Sequence, residues 1–372
     1  MKKQRVLGIM SGTSIGDVDY ALCEIADEKI RLLELWTVEF PDAMHQRLHA
    51  AARGELNSWE TAQLHHDLGR FYAGHATRGL KKGKPNLVGL HGQTIFHNPN
   101  KKNPATLQLG EPAYLVESLR VPVVSNFRSA DMAAGGQGAP LATIFHQFVF
   151  GESNTHICVN NLGGISNVTS IDRTSRRENI LAFDTGPANM LIDLAARVIS
   201  DGKLAFDRNG ALAARGNACE PLLLGWLQHP FFAKKPPKST GRELFGEIFL
   251  KPALKQMRRF SKFDALATLT EFTARSLALN YRMHLPSLPQ KIILTGGGAA
   301  NPTLLRAIQK QFSKEKEKVE VVTSEQLGWP VQAIEPAAFA LLAYLRMNGK
   351  AGNLPQTTGA RREVLLGQTS EP

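Results

Sequence analysis

Short apolar runs alternate along the chain with stretches in which apolar residues recur every three or four positions. The short runs predict buried strands, and the wider spacing predicts amphipathic helices. The predicted strands cover residues 6–10, 18–25, 87–90, 121–124, 155–160, 168–171, 180–183, 291–295 and 319–322. The predicted helices cover 42–82, a stretch from 141, 190–198, 264–285, a stretch after 301 and 337–345. This mixture of element types predicts an α/β fold.

The turns of two predicted strand pairs share a richness in glycine and hydroxyl residues. Residues 11–17 (Ser-Gly-Thr-Ser-Ile-Gly-Asp) join the first pair, and residues 161–167 (Asn-Leu-Gly-Gly-Ile-Ser-Asn) join a second pair. Backbone amides in such turns can donate to a phosphate, although one such cluster alone is by default an ordinary hairpin turn. The recurrence predicts a duplicated domain with two phosphate-binding turns that face one cleft. Neither turn matches a P-loop or a dinucleotide-binding fingerprint.

Asp184 lies between a predicted strand, Ile180–Phe183, and a predicted helix that begins near Met190. In open α/β sheets, ligands bind at the carboxyl ends of the strands. A carboxylate at such a position can accept a proton from a reacting group. We therefore predict that Asp184 is a general base.

Two further groups of polar residues follow predicted strands. His91 and Gln93 come after the strand at 87–90, where they suit a polar ligand, although a structural histidine is an equally good interpretation. Arg128 and Asp131 precede the glycine-rich segment 134–140. Arginine can bind a carboxylate with two parallel hydrogen bonds. The alternative is an Arg–Asp ion pair that fixes the loop.

A basic segment further along the chain has the spacing of a helix start. Thr240 and Glu243 have the spacing of a capping box, which predicts a helix from Gly241. Lys238 and Arg242 would then flank a helix N-terminus, where anions bind. A plain helix cap in a basic loop is the simpler interpretation.

Three consecutive glycines follow the predicted strand at 291–295, and an acid opens the last helix. A strand-to-helix turn needs one glycine at most, so Gly296, Gly297 and Gly298 favour a flat ligand such as an adenosine lying against the backbone. Glu335 begins the final apolar helix. Stabilisation of the helix dipole could be its whole role.

Composition narrows the class of protein. The net charge of +11 makes anionic partners plausible, but the basic residues are scattered and lack interleaved aromatic side chains, so nucleic-acid binding is only a weak alternative. No apolar run approaches the ~18 residues of a membrane span, and the first apolar run is too short for a signal peptide. Three cysteines that lie far apart predict a reducing compartment. We expect a cytoplasmic protein.

Taken together, these motifs resemble one family, the 1,6-anhydro-N-acetylmuramic acid kinases of the actin/hexokinase-like superfamily. The resemblance covers nearly the whole chain, and the order and spacing of the motifs make it specific. In chain order the motifs are Met10-Ser11-Gly12-Thr13-Ser14, His91-Gly92-Gln93-Thr94, Phe127-Arg128, residues 133–140, Leu162-Gly163-Gly164-Ile165, Phe183-Asp184-Thr185-Gly186-Pro187, residues 236–245, Gly296-Gly297-Gly298-Ala299 and Gly352-Asn353-Leu354-Pro355.

The resemblance implies a two-domain actin-like ATPase fold, a duplicated ribonuclease H-like fold with a central cleft. The expected domains are residues 1–150 and 151–372, and the C-terminal helix could pack with the first domain. It also implies that ATP and Mg²⁺ are used to open the 1,6-anhydro ring with water and to phosphorylate the freed 6-oxygen, giving N-acetylmuramic acid 6-phosphate in peptidoglycan recycling. The resemblance further implies a homodimer, and from the composition we expect no nucleic-acid or membrane partner.

The resemblance assigns roles to individual residues. Asp184 is expected to be catalytic. The expected ATP-binding residues lie in the two turns and the glycine run: Gly12, Thr13, Ser14, Ile15, Gly16, Asp17, Val18, Asp19, Gly163, Gly164, Ser166, Asn167, Gly296, Gly297 and Gly298. Asp17 or Asp19 is expected to meet the metal through water. The expected substrate-binding residues are His91, Gln93, Asn126, Arg128 and Glu335.

The chain departs from the family pattern at three places. Gly16-Asp17 stands where Asp-Gly is usual, and a shift of one residue along an extended segment turns a side chain to the other face. Asn126 occupies a position where the family usually has an aspartate, and Ala188 occupies one where it usually has a glycine. Two alternatives therefore stay open: a kinase of the same fold for a different amino sugar, and a nucleotide-binding homologue with weakened catalysis.

Overall fold

The structure is a computed structural model that describes residues 3–12, 15–27, 29–99, 102–151, 154–174 and 179–372. The chain forms two compact units, one made of residues 1–150 and 332–372 and the other of residues 151–331. The predicted second domain, 151–372, thus contains a C-terminal stretch, 332–372, that packs with the first unit. Among the residues described, no helix combines the length and the apolar character that a membrane crossing needs.

The first unit contains a mixed sheet with helices packed against it. Elements are numbered in chain order. Its strands are β1 (Gln4–Ser11), β2 (Asp17–Ala26), β3 (Lys29–Glu39), β4 (Leu87–Asn98), β5 (Ala105–Leu109), β6 (Val123–Ser125) and β12 (Gln368–Ser370). Its helices are α1 (Asp42–Ala52), α2 (Ser58–Gly79), α3 (Ala113–Leu119), α4 (Phe127–Ala133), α5 (Thr143–Phe150), α13 (Ile334–Met347) and α14 (Pro355–Thr358).

Helix α13 lies directly against β1 and β4. The helix is apolar on almost every side, as expected of an element buried all round. Two glycines permit the close approach. A Cβ atom at Gly8 would lie 1.7 Å from the Pro336 carbonyl oxygen, and one at Gly89 would lie 2.1 Å from that of Phe339. This packing holds the start of α13, with Glu335, against the sheet.

We expect Gly89→Ala to destabilise the protein by about 1–3 kcal/mol, the usual cost of overpacking a core. The added methyl group would overlap the Phe339 carbonyl, so helix and sheet must separate. Gly225→Ala is the matched control: no atom lies within 4 Å of the new Cβ, and the site is helical, so a small gain is expected. Urea unfolding measures both changes. Equal midpoints for the two variants would contradict this account of the packing.

The second unit is built on a five-stranded sheet. Its strands are β7 (His156–Leu162), β8 (Ile165–Asp172), β9 (Asn179–Pro187), β10 (Lys291–Thr295) and β11 (Glu320–Thr323). Its helices are α6 (Asn189–Ile199), α7 (Glu220–Trp226), α8 (Pro230–Ala233), α9 (Arg242–Phe245), α10 (Glu247–Gln256), α11 (Lys262–His284) and α12 (Pro302–Phe312).

The two sheets share one topology. The first runs β12-β6-β4-β1-β2-β3, with β5 paired to β4, and the second runs β11-β10-β7-β8-β9. In each, three consecutive antiparallel strands are followed by two strands parallel to the first. The predicted duplicated α/β fold is confirmed, and both glycine-rich turns join the first two strands of their sheets.

The helix predicted from Asp264 begins at Lys262, and the predicted capping box of Thr240 and Glu243 is absent. Helix α11 is capped by Ser261, whose hydroxyl accepts from the backbone N–H of Asp264, so Asp264 is the third helical residue of a capping box. Helix α9 has only four residues, and the side chain of Thr240 makes no cap hydrogen bond. The backbone N–H of Thr240 instead donates to the Asp184 carboxylate. A tertiary contact has replaced the local capping pattern.

Candidate active site

The first glycine-rich turn joins β1 to β2, which pair up to Ser11 and Val18. Thr13 and Ser14 lie outside the described residues. Ile15 is buried and has φ of +59°, an unusual conformation for a β-branched residue, and its N–H donates to the Gly12 carbonyl at 3.1 Å. Backbone strain of this kind persists only where surrounding structure enforces it and is frequent at ligand sites. The sequence pattern did not reveal this strained residue.

Asp17 and Asp19 lie two residues apart on β2 and therefore share one face of the strand. The Thr37 hydroxyl donates to Asp19. Burial raises the pKa of Asp19 to about 6 despite that bond. Burial and the neighbouring Glu39 also raise the pKa of Asp17. The displaced acid of this chain therefore stands beside Asp19 rather than on the opposite face.

Mg²⁺ in phosphoryl-transfer enzymes is bound by one or two carboxylates, water and the phosphates of the nucleotide. Within the described residues, no group of three or more His, Cys, Asp or Glu side chains could hold a metal ion by itself. Asp17 and Asp19 could supply the one or two carboxylates that such a site needs. The residues present fit a magnesium ion that arrives with a nucleotide.

We expect Asp17→Asn to stabilise the fold at pH 7 by about 0.2–1 kcal/mol, because Asp17 lies opposite Glu39 on β3 and like charges in that position repel. The folded pKa of Asp17 lies above its ordinary value, so ionisation weakens the fold. The gain should therefore shrink once the pH falls below that pKa and vanish below the ordinary value of 3.8. Thermal unfolding from pH 3 to 8 measures it. Glu39→Gln should give a similar gain, and fully additive gains in the double variant would contradict the repulsion.

Arg128, on α4, contacts His91, another of the predicted substrate-binding residues. Its Nη2 atom lies 2.9 Å from His91 Nε2, and its Nη1 atom donates to the Gly138 carbonyl at 2.7 Å. Burial and the Arg128 charge lower the pKa of His91 well below its ordinary value. His91 is therefore neutral and accepts at Nε2, so its proton lies on Nδ1.

Glu335, at the start of α13, belongs to the same electrostatic group. Glu335 is solvent-accessible. Desolvation by the surrounding protein nevertheless raises the pKa of its carboxyl group. The positive charge of Arg128 lowers that pKa, and the negative charge of Asp19 raises it. Asp131 does not form the ion pair with Arg128 that was the alternative. It is fully buried and accepts from the Gly138 N–H, the Asn353 amide and the Thr358 hydroxyl. Arg128 is thus free of a carboxylate partner at hydrogen-bonding distance in the described part of the chain.

Gln93 and Asn126, the other two predicted substrate-binding residues, make different contacts. Gln93 is fully buried inside β4, which continues to Asn98, and its amide donates to the Gly12 carbonyl at 3.0 Å. Gln93 thus supports the first turn. Asn126, with φ of +54°, donates to Gln368 at 3.3 Å and lines a cavity of about 570 Å³. The described residues that line the cavity are rich in hydroxyl and amide side chains and include no lysine or arginine. His91 lines it as well, whereas Gln93, Arg128 and Glu335 do not.

The second glycine-rich turn is tied to the start of α6. The Gly163 carbonyl accepts from the N–H of Asn189, and the Gly164 carbonyl accepts from those of Ala188 and Met190. Ala188, which replaces the usual glycine, has φ of −115°, outside the left-handed region that favours glycine.

Ser166 belongs to a buried polar network behind this turn. Its hydroxyl is bonded to the Asn160 amide at 2.8 Å and to the Thr185 hydroxyl at 2.6 Å. The amide of Asn280, on α11, donates to the Thr185 carbonyl at 2.9 Å. Asn280 was not predicted from the sequence, although its place within the apolar face of α11 was a signal. The network connects the turn at Ser166 with the residue that follows Asp184, while Asn167 lies opposite Asp184 on β8.

Asp184 lies inside β9 and not at its end, because the strand continues to Pro187. The pairing with β8 shifts by one residue between Ser166 and Asn167, and such bulges redirect side chains. The backbone N–H of Asp184 donates to the Lys238 carbonyl at 3.0 Å, and Oδ2 accepts from the Thr240 N–H at 2.8 Å. Burial and the charge of Glu243 raise the pKa of Asp184 to about 6, although the Thr240 N–H and the Lys238 charge oppose the shift. At neutral pH the carboxylate is ionised and can accept a proton.

The glycine run after β10 has a packing explanation at two of its three positions. A Cβ atom at Gly296 would lie 2.2 Å from Asn161 Oδ1, and one at Gly298 would lie 2.8 Å from Leu162 Cβ. At Gly297 the atom nearest to an added Cβ would be Asn189 Nδ2 at 3.8 Å, an ordinary van der Waals distance, so packing does not require this glycine. Close contact with the end of β7 thus requires two of these glycines, and the argument for a ligand rests on Gly297.

Comparison with known proteins shows the family to which the chain belongs. The family model of anhydro-N-acetylmuramic acid kinase matches residues 4–371. The anhydro-N-acetylmuramic acid kinase of Picosynechococcus sp. is 40% identical over 99% of this chain and 100% of its own length. That of Acaryochloris marina is 40% identical over 98% of both chains. A solved ROK family glucokinase from Streptomyces griseus is similar at a TM-score of 0.41 and 15% identity, covering 91% of this chain and 99% of its own. The chain belongs to the anhydro-N-acetylmuramic acid kinase family.

Proposed function

We propose that the protein is an ATP-dependent kinase that opens the ring of 1,6-anhydro-N-acetylmuramic acid with water and phosphorylates O6. The observation that carries the proposal is Asp184, a half-buried carboxylate with a pKa of about 6, set in a chain of this family. The product is N-acetylmuramic acid 6-phosphate, and the wider role is recycling of peptidoglycan fragments.

The reaction needs one water molecule and one ATP. The water oxygen bonds to the anomeric carbon as the bond from that carbon to O6 breaks, and the water gives a proton to Asp184. The freed O6 bonds to the γ-phosphorus as the bond to the β-phosphate oxygen breaks, and ADP leaves. Asp184 later returns its proton to solvent. A positioned general base contributes ~10²–10⁴-fold to such a step.

The geometry of Asp184 supports this role. Its Oδ2 atom is held by the Thr240 N–H at 2.8 Å. Within the described residues, Oδ1 accepts no hydrogen bond, which leaves that oxygen for the attacking water. The fixed oxygen sets the direction of the free one, and orientation of this kind accounts for much of enzymatic rate enhancement.

We assign the nucleotide to the two glycine-rich turns and to Gly297. Phosphoryl transfer requires mainly positioning and charge neutralisation. Backbone amides from Gly12 to Asp19 and at Gly163 and Gly164 would hold the phosphates, and Asp17 or Asp19 would hold Mg²⁺ through water. The ion, when bound, neutralises charge on the phosphates. Gly297, whose small size no packing contact requires, would lie against the adenosine.

We assign the sugar to the group of Arg128, His91 and Glu335. Arg128 has no carboxylate partner at hydrogen-bonding distance within the described residues and can bind the lactyl carboxylate. Neutral His91 holds the guanidinium at 2.9 Å without competing for the anion. The polar cavity beside His91 and Asn126 suits hydroxyl and amide groups of the sugar.

A coupled assay with ATP, Mg²⁺ and the anhydro-sugar tests the proposal, with phosphorus NMR to identify the product. One ADP for each sugar 6-phosphate is the expected result. Absence of both products would overturn the proposal. ADP formed only with another amino sugar would support a kinase of different specificity. Nucleotide binding without turnover would indicate a weakened homologue, in which the strained Ile15 and the Gly16-Asp17 order are the first positions to examine.

We further propose a cytoplasmic homodimer. The reaction uses intracellular ATP, and the three cysteines, Cys23, Cys158 and Cys219, are free thiols, as expected in a reducing compartment. The dimer is supported by the family resemblance. Light scattering after gel filtration tests it, and a monomer mass at micromolar concentration would contradict it.

A further inference from the structure

Lys238 is buried, and the proposed reaction does not explain why. Its side chain is 9% exposed, whereas the nearby Lys234 and Lys235 are on the surface. Within the described residues, no carboxylate lies at ion-pair distance from its ammonium group. A cation removed from water without a paired anion is costly unless other groups replace the water. Lys238 therefore does not form the open anion site that was one of the two interpretations of this segment.

Protein carbonyls and aromatic rings take the place of that water. The Nζ atom donates to the Phe231 carbonyl at 3.3 Å and to the Phe232 carbonyl at 3.1 Å, and His284 Nε2 lies 3.1 Å away. The ring centre of Phe231 lies 4.7 Å from Nζ, within the range of a cation–π contact. The ammonium thus fixes residue 238 to the end of α8.

The backbone of the same segment holds the proposed base. The Lys238 carbonyl accepts from the Asp184 N–H at 3.0 Å, and the Thr240 N–H donates to Asp184 Oδ2 at 2.8 Å. The Lys238 side chain therefore fixes one end of a segment whose other end orients the carboxylate. Displacement of this segment by even 1 Å would move the Thr240 N–H away from Asp184.

We propose that Lys238 is a positioning residue for the reaction: its ammonium anchors residues 238–240 so that the Thr240 N–H holds Asp184 towards the attacking water. This inference rests on the proposed function, since it takes Asp184 as the base. Lys238 acts through the backbone and touches no reacting atom.

The charge of Lys238 adds a measurable signature. The groups that act on Asp184 are Thr240 and Lys238, which lower its pKa, and Glu243 and burial, which raise it. Burial lowers the pKa of Lys238 to about 8, Asp184 raises it and Lys234 lowers it, so the ammonium is mostly charged at pH 7. Loss of that charge raises the pKa of Asp184. The acid limb of the pH profile must then move to higher pH.

Lys238→Met tests the proposal, with Lys235→Met as the matched surface control. We expect the kcat of Lys238→Met to fall by roughly 10–100-fold, because misorientation of a base has effects of that size. The KM for ATP should stay within about twofold of the parent value, since the nucleotide is assigned elsewhere, and the acid limb of kcat/KM should rise by roughly half a pH unit or more. Lys235→Met should match the parent enzyme in all three quantities.

Two results would overturn the inference. One is an unchanged kcat and acid limb in Lys238→Met. The other is a fall in kcat that accompanies a lower melting temperature while the acid limb stays in place, which indicates a merely structural lysine. If Lys238→Met does not fold, Lys238→Gln, which keeps a hydrogen-bond donor, is judged by the same criteria. A parent enzyme without sugar-dependent turnover would overturn the proposed function itself, a result distinct from these.

Discussion

Asp184→Asn is expected to lose turnover by at least ~10²-fold while it folds and binds ATP, because an amide cannot accept the proton of the attacking water. The substitution preserves the shape of the site, since the amide oxygen can still accept from the Thr240 N–H. Steady-state kinetics with the anhydro-sugar measures turnover, and calorimetry measures ATP binding.

Asp193→Asn is the matched control for this change. Asp193, on α6, is half-buried and has a pKa raised to about 6 by burial, as Asp184 has, but it lies outside the proposed site. Its turnover should stay within about threefold of the parent value. Equal losses in both variants, or near-normal activity in Asp184→Asn, would refute the assignment of the base.

The raised pKa of Asp184 also gives two pH-dependent expectations. A base with a pKa of about 6 must be ionised to act, so kcat/KM of the parent enzyme should fall as the pH drops through about 6. The folded state binds this proton more tightly than the unfolded chain does, so the fold loses stability as the pH rises from the ordinary pKa of 3.8 to about 6, and the loss is complete at pH 7. The melting temperature of Asp184→Asn at pH 7 should therefore equal or exceed that of the parent protein.

Arg128→Met is expected to lower kcat/KM for the sugar by roughly 10²-fold, with the KM for ATP nearly unchanged. The change removes the cation assigned to the lactyl carboxylate, and a charge-assisted hydrogen bond contributes about 1.5–3 kcal/mol. It also removes the donor to His91 and the charge that lowers the pKa of Glu335. Kinetics with each substrate varied in turn separates the two effects.

The control for Arg128 is Arg53→Met. Arg53 is exposed and paired with Glu55, and surface ion pairs of this kind contribute little. We expect unchanged kinetics in that variant. An Arg128→Met enzyme that loses affinity for ATP and keeps its affinity for the sugar would show that Arg128 serves the nucleotide instead.

The sequence predicted the parts of the fold that depend on local signals. Apolar runs located the central strands of both sheets, and the two glycine-rich turns indicated the duplication, because turn chemistry and strand pattern are short-range properties. The limits of β4 and β9 were not predictable in this way. His91, Gln93 and Asp184 are polar residues within strands, and the pattern alone placed them after the strand ends.

Non-local contacts explain the remaining differences. Gly296 and Gly298 resembled a ligand loop, but the side chain of Leu162 and neighbouring atoms, more than 130 residues earlier, require their small size. Lys238 resembled a surface cation until the fold placed the Phe231 and Phe232 carbonyls beside its ammonium group. These contacting residues are distant in sequence or lie in loops, so a periodic sequence pattern cannot predict the contacts.

The most direct test of the proposed function is the fate of the water oxygen. The enzyme would be incubated with ATP, Mg²⁺ and 1,6-anhydro-N-acetylmuramic acid in oxygen-18 water, quenched early and analysed by mass spectrometry, with N-acetylmuramic acid 6-phosphate in the same water as the control for anomeric exchange. We predict sugar 6-phosphate with the label on the anomeric carbon, an unlabelled phosphoryl group and one ADP per product. Labelled inorganic phosphate with unchanged anhydro-sugar would contradict the account.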